Sequence, residues 1–287
     1  MGDVAEQFLS VPERRIMKAL ITGHSGFIGS HLCQLLITLD YEVVRFERKW
    51  FTEKNLEQRL KKIKPDFIFH LSAYGNMFHQ DEEEKTINAN ILDLCYLLHA
   101  TRNINYKAFV NISTSSVTLP YQTMYSATKL SGEHLCEAFA NKYHKPIVSC
   151  RPYSIYGPGE ADFRFIPTVI RKIIQDEVLE LDPKPCHDWV YIDDCVEALL
   201  EASKKTKQKI INIGTGISYS NLVTVKTIET ILGKKAKIEI VKSLRKYDSK
   251  NWVCEKSILQ NYEWPAVSFR VGLEKTVKYY LEKYAKR

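Results

Sequence analysis

No stretch of this 287-residue chain approaches the ~18 consecutive apolar positions of a membrane-crossing helix, so no membrane partner is expected. The seven cysteines (Cys33, Cys95, Cys136, Cys150, Cys186, Cys195 and Cys254) include no Cys-x-x-Cys pair and are odd in number. That excludes the usual zinc-ligand spacing and a disulfide framework; neither metal nor cross-link is predicted, and thiols within apolar runs suit a reducing cytoplasm. No basic block is present either. The 41 Lys and Arg against 34 Asp and Glu give a net charge of +7 that is spread along the chain, which argues against a nucleic-acid partner. The first sixteen residues lack a basic segment followed by a long apolar run, so they read as a short extension (1–16) ahead of a start at Met17 rather than a secretory leader. Repeats and low-complexity tracts are absent.

What is present is ordinary globular material, 45% hydrophobic and 26% charged, arranged with a regular rhythm. The apolar run Ala19-Leu20-Ile21 enters the turn Thr22-Gly23-His24-Ser25-Gly26-Phe27-Ile28-Gly29, after which Leu32, Leu35, Leu36 and Leu39 recur at helical spacing. Strands are predicted at 41–46, 66–71, 108–112, 147–150 and 210–213, and helices at 53–63, 82–100, 125–143, 166–176 and 273–284. Short apolar strands alternating with crossover helices predict an α/β protein with a doubly wound parallel sheet, Rossmann-like. Proline and glycine punctuation after Arg151 predicts a smaller α/β C-terminal lobe. The expected division is a nucleotide-binding domain over 17–151 plus about 189–213, and a substrate lobe over 152–188 and 214–287.

Gly23, Gly26 and Gly29 lie at the first strand-to-helix junction, where a glycine turn lets backbone approach a pyrophosphate and the helix N-terminus stabilises its charge. Ser25, Phe27 and Ile28 fill the same turn. Glu47 follows the second strand, where a carboxylate accepts ribose hydroxyls and favours NAD; Arg48 beside it would instead pair with a 2'-phosphate and favour NADP. Tyr125 and Lys129, four apart, share one face of a predicted helix. Bringing a phenol from ~10 to near neutrality takes ~4 kcal/mol, which one cation ~4 Å away supplies at an effective dielectric of ~20.

Together these motifs resemble the extended short-chain dehydrogenases/reductases, in particular the nucleotide-sugar-modifying NAD-dependent epimerase/dehydratase family. Further matches are the strand end Ile112-Ser113-Thr114-Ser115, Phe69-His70-Leu71-Ser72-Ala73, Asn90, Arg151-Pro152, Tyr156-Gly157-Pro158-Gly159 and Asp188-Trp189-Val190-Tyr191-Ile192-Asp193-Asp194. The resemblance implies that Tyr125 relays a proton at a sugar oxygen, that Lys129 holds the nicotinamide ribose and lowers the tyrosine pKa, and that Thr114 bonds the same sugar oxygen, with Ser113 and Ser115 as further claimants. It also implies cofactor contacts from Leu71, Ser72, Ala73 and Asn90, a nucleoside-diphosphate sugar as substrate, and a homodimer formed through the helices around 87–98 and 130–139.

Departures narrow the chemistry. Dehydratases of this family carry an Asp-Glu pair after the catalytic threonine; Ser115-Ser116 stands there, so water elimination lacks its proton carriers. Ser154 and His187 occupy positions where many relatives carry Asn and Arg, which shifts the expected diphosphate grip to Arg164, Arg171 or Arg245. The short Thr114-to-Tyr125 linker leans the expectation towards a 4-ketoreductase transferring hydride at sugar C4. A 4-epimerase and a non-catalytic dinucleotide-binding redox sensor are the alternatives.

Overall fold

The computed structural model describes residues 15–242, 252–261 and 266–285. Its first half is a run of parallel β-α units: β1 (Lys18–Thr22), α1 (Phe27–Thr38), β2 (Glu42–Arg45), α2 (Leu56–Ile63), β3 (Phe67–His70), α3 (Glu83–Ile87), α4 (Asp93–Thr101), β4 (Ala108–Ile112), α5 (Met124–Tyr143) and β5 (Ile147–Pro152). A π-helical turn, Asn88–Leu92, joins α3 to α4. Among the described residues the central sheet has six strands, all parallel, in the order β2-β1-β3-β4-β5-β9, with β9 at Ile210–Ile213.

β3 and β4 are buried along their whole length, which is why they read as unbroken apolar runs. β2, at the edge, is half-exposed and carries Glu42 and Arg45. The chain leaves β1 outward to β2, then returns past β1 to β3. Right-handed crossovers running in opposite directions put their helices on opposite faces. The core accordingly has two parts: α1 contributes Leu32 and Leu36 to one, while Leu60 of α2, Leu97 of α4 and Cys136 of α5 contribute to the other. The reversal opens a crevice at the carboxyl ends of β1 and β3, the place where such sheets bind ligands.

The second half supplies β6 (Ser154–Tyr156), α6 (Phe165–Ile174), β7 (Val178–Leu181), β8 (Cys186–Tyr191), α7 (Ile192–Ala202), β10 (Ser218–Ser220), α8 (Asn221–Leu232), β11 (Lys237–Ile240) and α9 (Phe269–Ala285). β10-β8-β6 form a three-stranded sheet, and β7 pairs with β11. Residues 189–213, expected to lie within the nucleotide-binding domain, serve both halves: β8 belongs to the small sheet, whereas α7 packs against α1 and β9 closes the large sheet. Hydrogen bonds from the C-terminal helix region reach back into the lobe. The Tyr156 hydroxyl donates to the Phe269 carbonyl (3.1 Å), and Tyr280 donates to the backbone carbonyl of Glu160. No helix among the described residues is long and apolar enough to cross a membrane.

Candidate active site

The glycine turn is as tight as its sequence suggests. Gly23 has φ +67°, and a Cβ on it would stand 2.7 Å from the Ser72 nitrogen. A Cβ on Gly29 would fall 2.1 Å from the Gly23 carbonyl oxygen, so α1 packs on the turn with no room for a side chain. Gly26 is the N-cap of α1; no side chain caps the helix and its first turn holds no acidic residue. Uncapped N–H groups and the positive end of the helix dipole are what a pyrophosphate requires. Ser25 is exposed on this turn, with Phe27 and Ile28 half-buried behind it.

Below the turn, Thr22 ties β1 to β3. Its Oγ1 accepts hydrogen bonds from the Leu71 and Ser72 backbone N–H groups (3.1 and 3.2 Å) and lies 2.9 Å from Nδ1 of His70. Burial, with the Lys129 charge second, lowers the His70 pKa to about 3, so this imidazole is neutral. Leu71 and Ser72 thus form a fixed floor to the crevice, and Ala73 is exposed at its rim. Glu47 sits at the end of β2 with its carboxylate 2.6 Å from the Lys49 ammonium, which holds its pKa below the ordinary range. Arg48 acts instead on Asp93, whose carboxyl burial raises to about 6.

The first turn of α5 is set by a reciprocal cap: the Ser126 N–H donates to Thr123 Oγ1 (3.2 Å), and the Thr123 N–H donates to Ser126 Oγ (2.8 Å). Tyr125 and Lys129 follow on that helix. Lys129 is buried, makes no hydrogen bond among the described residues, and has its ammonium pKa pulled down to about 8 by desolvation. Its charge acts on His70. Tyr125 differs from expectation: burial pushes its pKa up to about 12, and the cation opposing that rise is Arg164, not Lys129. Desolvation outweighs a single cation here.

Thr114, at the end of β4, accepts the Ser116 N–H (3.2 Å) and keeps its side chain half-exposed. Ser113 is committed elsewhere, donating to the buried Glu133 carboxylate, which also accepts Arg151 Nε (2.8 Å). Ser115 is buried. Asn90, in the π-turn, accepts the Tyr74 N–H (3.0 Å) and donates to the Tyr74 carbonyl and to Thr128 Oγ1 (both 2.9 Å). It braces the loop after β3 against α5.

In the lobe, Ser154 and His187 are brought together, with Oγ 3.3 Å from Nδ1. Asp188 beside them is fully buried and accepts the N–H groups of Thr215 (2.7 Å), Gly216 (2.9 Å) and Cys254 (3.0 Å), organising two loops. Arg164, the N-cap of α6, donates to the Asn76 carbonyl at 3.4 Å. Arg171 pairs with Glu177 at 2.8 Å and Gln175 at 3.0 Å on the surface. Arg245 lies outside the described residues. Sequence reasoning passed over Glu160, whose buried carboxyl has one oxygen, Oε2, without a partner. Its place directly after Gly157-Pro158-Gly159 was the available signal.

Comparison with known proteins bears on the family and the fold. The sequence profile of the NAD dependent epimerase/dehydratase family matches residues 19–214. A Bacillus subtilis protein described as an uncharacterized UDP-glucose epimerase, YtcB, is 31% identical over 92% of this chain and 98% of its own length. The crystal structure of UDP-glucuronic acid 4-epimerase from Bacillus cereus, in complex with UDP-glucuronic acid and NAD, superposes with a TM-score of 0.78 at 28% identity, covering 93% of this chain and 100% of that one. The UDP-glucose 4-epimerase of Thermotoga maritima shares the fold, with a TM-score of 0.82 at 24% identity over 93% of this chain and 100% of that chain.

Proposed function

The chain belongs to the NAD dependent epimerase/dehydratase family, and on that premise we propose that it is an NAD-using 4-epimerase of a uridine-diphosphate hexose. The observation that carries the reading is that Ser115 and Ser116, neither an acid nor a base, follow Thr114, which leaves Tyr125 at the start of α5 as the proton carrier beyond that hydroxyl. One proton carrier suffices for oxidation and reduction at a ring carbon; elimination of water needs two. The named activities of the Bacillus relatives support the choice of sugar nucleotide and of the epimerase over other outcomes.

NAD, when bound, supplies the acceptor and donor of hydride at the sugar carbon. The residues of the chain do the rest. Gly23, Gly26, Gly29 and the start of α1 hold the pyrophosphate, and Glu47 accepts the ribose hydroxyls. Lys129 holds the nicotinamide ribose. Thr114 orients the sugar oxygen, and Tyr125 moves its proton. With a pKa of about 12 the phenol is protonated in the free protein, so it must first give up that proton; it then takes the proton of the sugar hydroxyl as hydride leaves the ring carbon and returns it to the keto oxygen as hydride comes back. Ser154 and His187 face the sugar nucleotide from the lobe. The seven cysteines are free thiols, which supports a cytoplasmic location. A homodimer completes the reading, supported by Ile87, Leu92 and Tyr96, large apolar side chains exposed along 83–101.

The short Ser115–Met124 connection favours one second reading, a 4-ketoreductase. Incubation with UDP-glucose, UDP-galactose, UDP-glucuronic acid and a nucleotide-bound 4-keto-6-deoxyhexose, with NAD, NADH or NADPH, separates the two. An isomeric product without net cofactor oxidation marks the epimerase, and a product two mass units heavier with cofactor oxidation marks the reductase. No turnover of any of them refutes both.

A further inference from the structure

One buried carboxylate joins three elements behind the chemical groups. Glu133 of α5 accepts hydrogen bonds at Oε1 from Ser113 Oγ (2.5 Å) and Arg151 Nε (2.8 Å), and at Oε2 from Arg151 Nη2 (2.5 Å). Ser113 follows β4 and directly precedes Thr114, and its N–H donates to the Cys150 carbonyl (2.6 Å); Arg151 stands near the end of β5. Both oxygens of the carboxylate are thus engaged, and the planar guanidinium fork meets them in a two-bond geometry that an ammonium cannot match. The same helix carries Lys129 four residues earlier, also buried. Positions four apart lie one turn apart on one face, close enough for lysine and glutamate to pair. Here Glu133 pairs with Arg151 instead, and Lys129 makes no hydrogen bond or ion pair among the described residues. The order, lysine ahead of glutamate, is also the weaker one for such a pair.

Resting on the reading of Lys129 as the group that holds the nicotinamide ribose, we propose that Arg151 and Ser113 are positioning residues for that lysine: by engaging both oxygens of the Glu133 carboxylate they keep it from pairing with the ammonium, which stays available to the ribose hydroxyls. A buried lysine one turn from a buried carboxylate with no competitor closes on it, because a charge-assisted bond offsets part of the cost of burying both. That bond would have to break before the ammonium could donate to a ribose. Arg151 removes the obstacle without removing the charge. Burial lowers the Lys129 pKa, with Cys136 and then Glu133 opposing the fall, so the carboxylate is felt at the ammonium without being bonded to it. On β3, His70 is neutral and adds no competing charge. The clamp also ties the helix face that bears Lys129 to the ends of β4 and β5, within one turn of the lysine.

Two measurements test this, and neither needs a sugar substrate. In the first, lysine labelled with carbon-13 at Cε is titrated by NMR in the nucleotide-free protein, the Lys129 signal being the one lost in Lys129→Met. Arg151→Met raises the Lys129 pKa by about one unit, the change expected when a neighbouring cation leaves and the carboxylate turns to the ammonium. Adding Glu133→Gln to Arg151→Met brings it back to the parent value or below. In the second, calorimetric titration with NAD shows affinity reduced about tenfold in Arg151→Met and restored to within about threefold of the parent in the double variant. A clamp that served the fold alone would give no such rescue, because the double variant has lost the ion pair altogether. A double variant that binds NAD no better than Arg151→Met, or an unmoved Lys129 titration in folded Arg151→Met, overturns the proposal. Thermal unfolding confirms that each variant folds; should Arg151→Met not fold, Arg151→Lys with and without Glu133→Gln carries the same comparison. If the parent does not bind NAD, the ribose role of Lys129 fails, while the NMR titration still decides whether the clamp governs its ammonium.

Discussion

Replacing Lys129 by methionine should make the nucleotide-free protein more stable while abolishing its chemistry. Folding takes the ammonium from its ordinary value of 10.5 down to about 8, chiefly because burial desolvates it, with Cys136 and Glu133 opposing the fall. At 1.36 kcal/mol per pKa unit, that depression corresponds to a destabilisation of about 3 kcal/mol at neutral pH. Methionine keeps the apolar stem and removes the charge. The sign follows from proton counting. Below about pH 8 the lysine is protonated in both states and the full penalty applies. Between about 8 and 10.5 the unfolded chain binds more protons than the folded one, so the stability of the parent rises with pH and the gap closes. Urea unfolding of parent and Lys129→Met at pH 7, 8, 9 and 10, on protein freed of nucleotide, reads this directly. The variant is expected to lead by about 3 kcal/mol at pH 7 and by little at pH 10. A variant no more stable than the parent at pH 7, or a difference that ignores pH, would refute the picture of a buried ammonium whose desolvation outweighs its neighbours.

Gly29→Ala places a methyl 2.1 Å from the Gly23 carbonyl, so the glycine turn must open; calorimetric titration with NAD is expected to show affinity reduced at least tenfold, and unchanged affinity would deny the turn its phosphate role. Tyr96→Glu puts a charge on the exposed apolar stripe that includes Leu92; sedimentation velocity should show a dimeric parent and a monomeric variant, and a monomeric parent removes the dimer from the proposal.

The sequence shows the central sheet clearly because its inner strands β3 and β4 are buried on both faces and its edge strands β2 and β9 still carry paired apolar residues. Ala108–Ile112 and Ile210–Ile213 were delimited to the residue. α5 was placed one residue short because Thr123, its cap, works through a reciprocal bond with Ser126 rather than through a glutamate at that position. The small strands were not legible. β7 alternates exposed and buried residues over only four positions, and β11 (Lys-Ile-Glu-Ile) is mostly exposed, so neither carries an apolar run. α8 was missed despite its caps, Ser220 at the start and Gly233 with φ +64° at the end. At the site, residue types and spacings identified Tyr125, Lys129 and the glycines. They could not reveal which way a buried charge faces. That Lys129 acts on His70 while Arg164 acts on Tyr125 depends on how the fold brings together residues 59 and 39 positions apart. For Glu160 the local signal is its place after Gly157-Pro158-Gly159, but its burial depends on contacts with distant residues such as Tyr280.

The bond from the Tyr280 hydroxyl to Glu160 gives the molecule an order of completion during synthesis. All five strands of the β1–β5 half emerge from the ribosome before residue 160, so the dinucleotide crevice can assemble on a nascent chain. The loop bearing Glu160 and Arg164 receives its Tyr280 anchor only when α9 leaves the exit tunnel. A chain stalled before that helix would present the cofactor crevice without a fastened substrate side, and a fusion partner joined directly after α9 would sit against the element that fastens it.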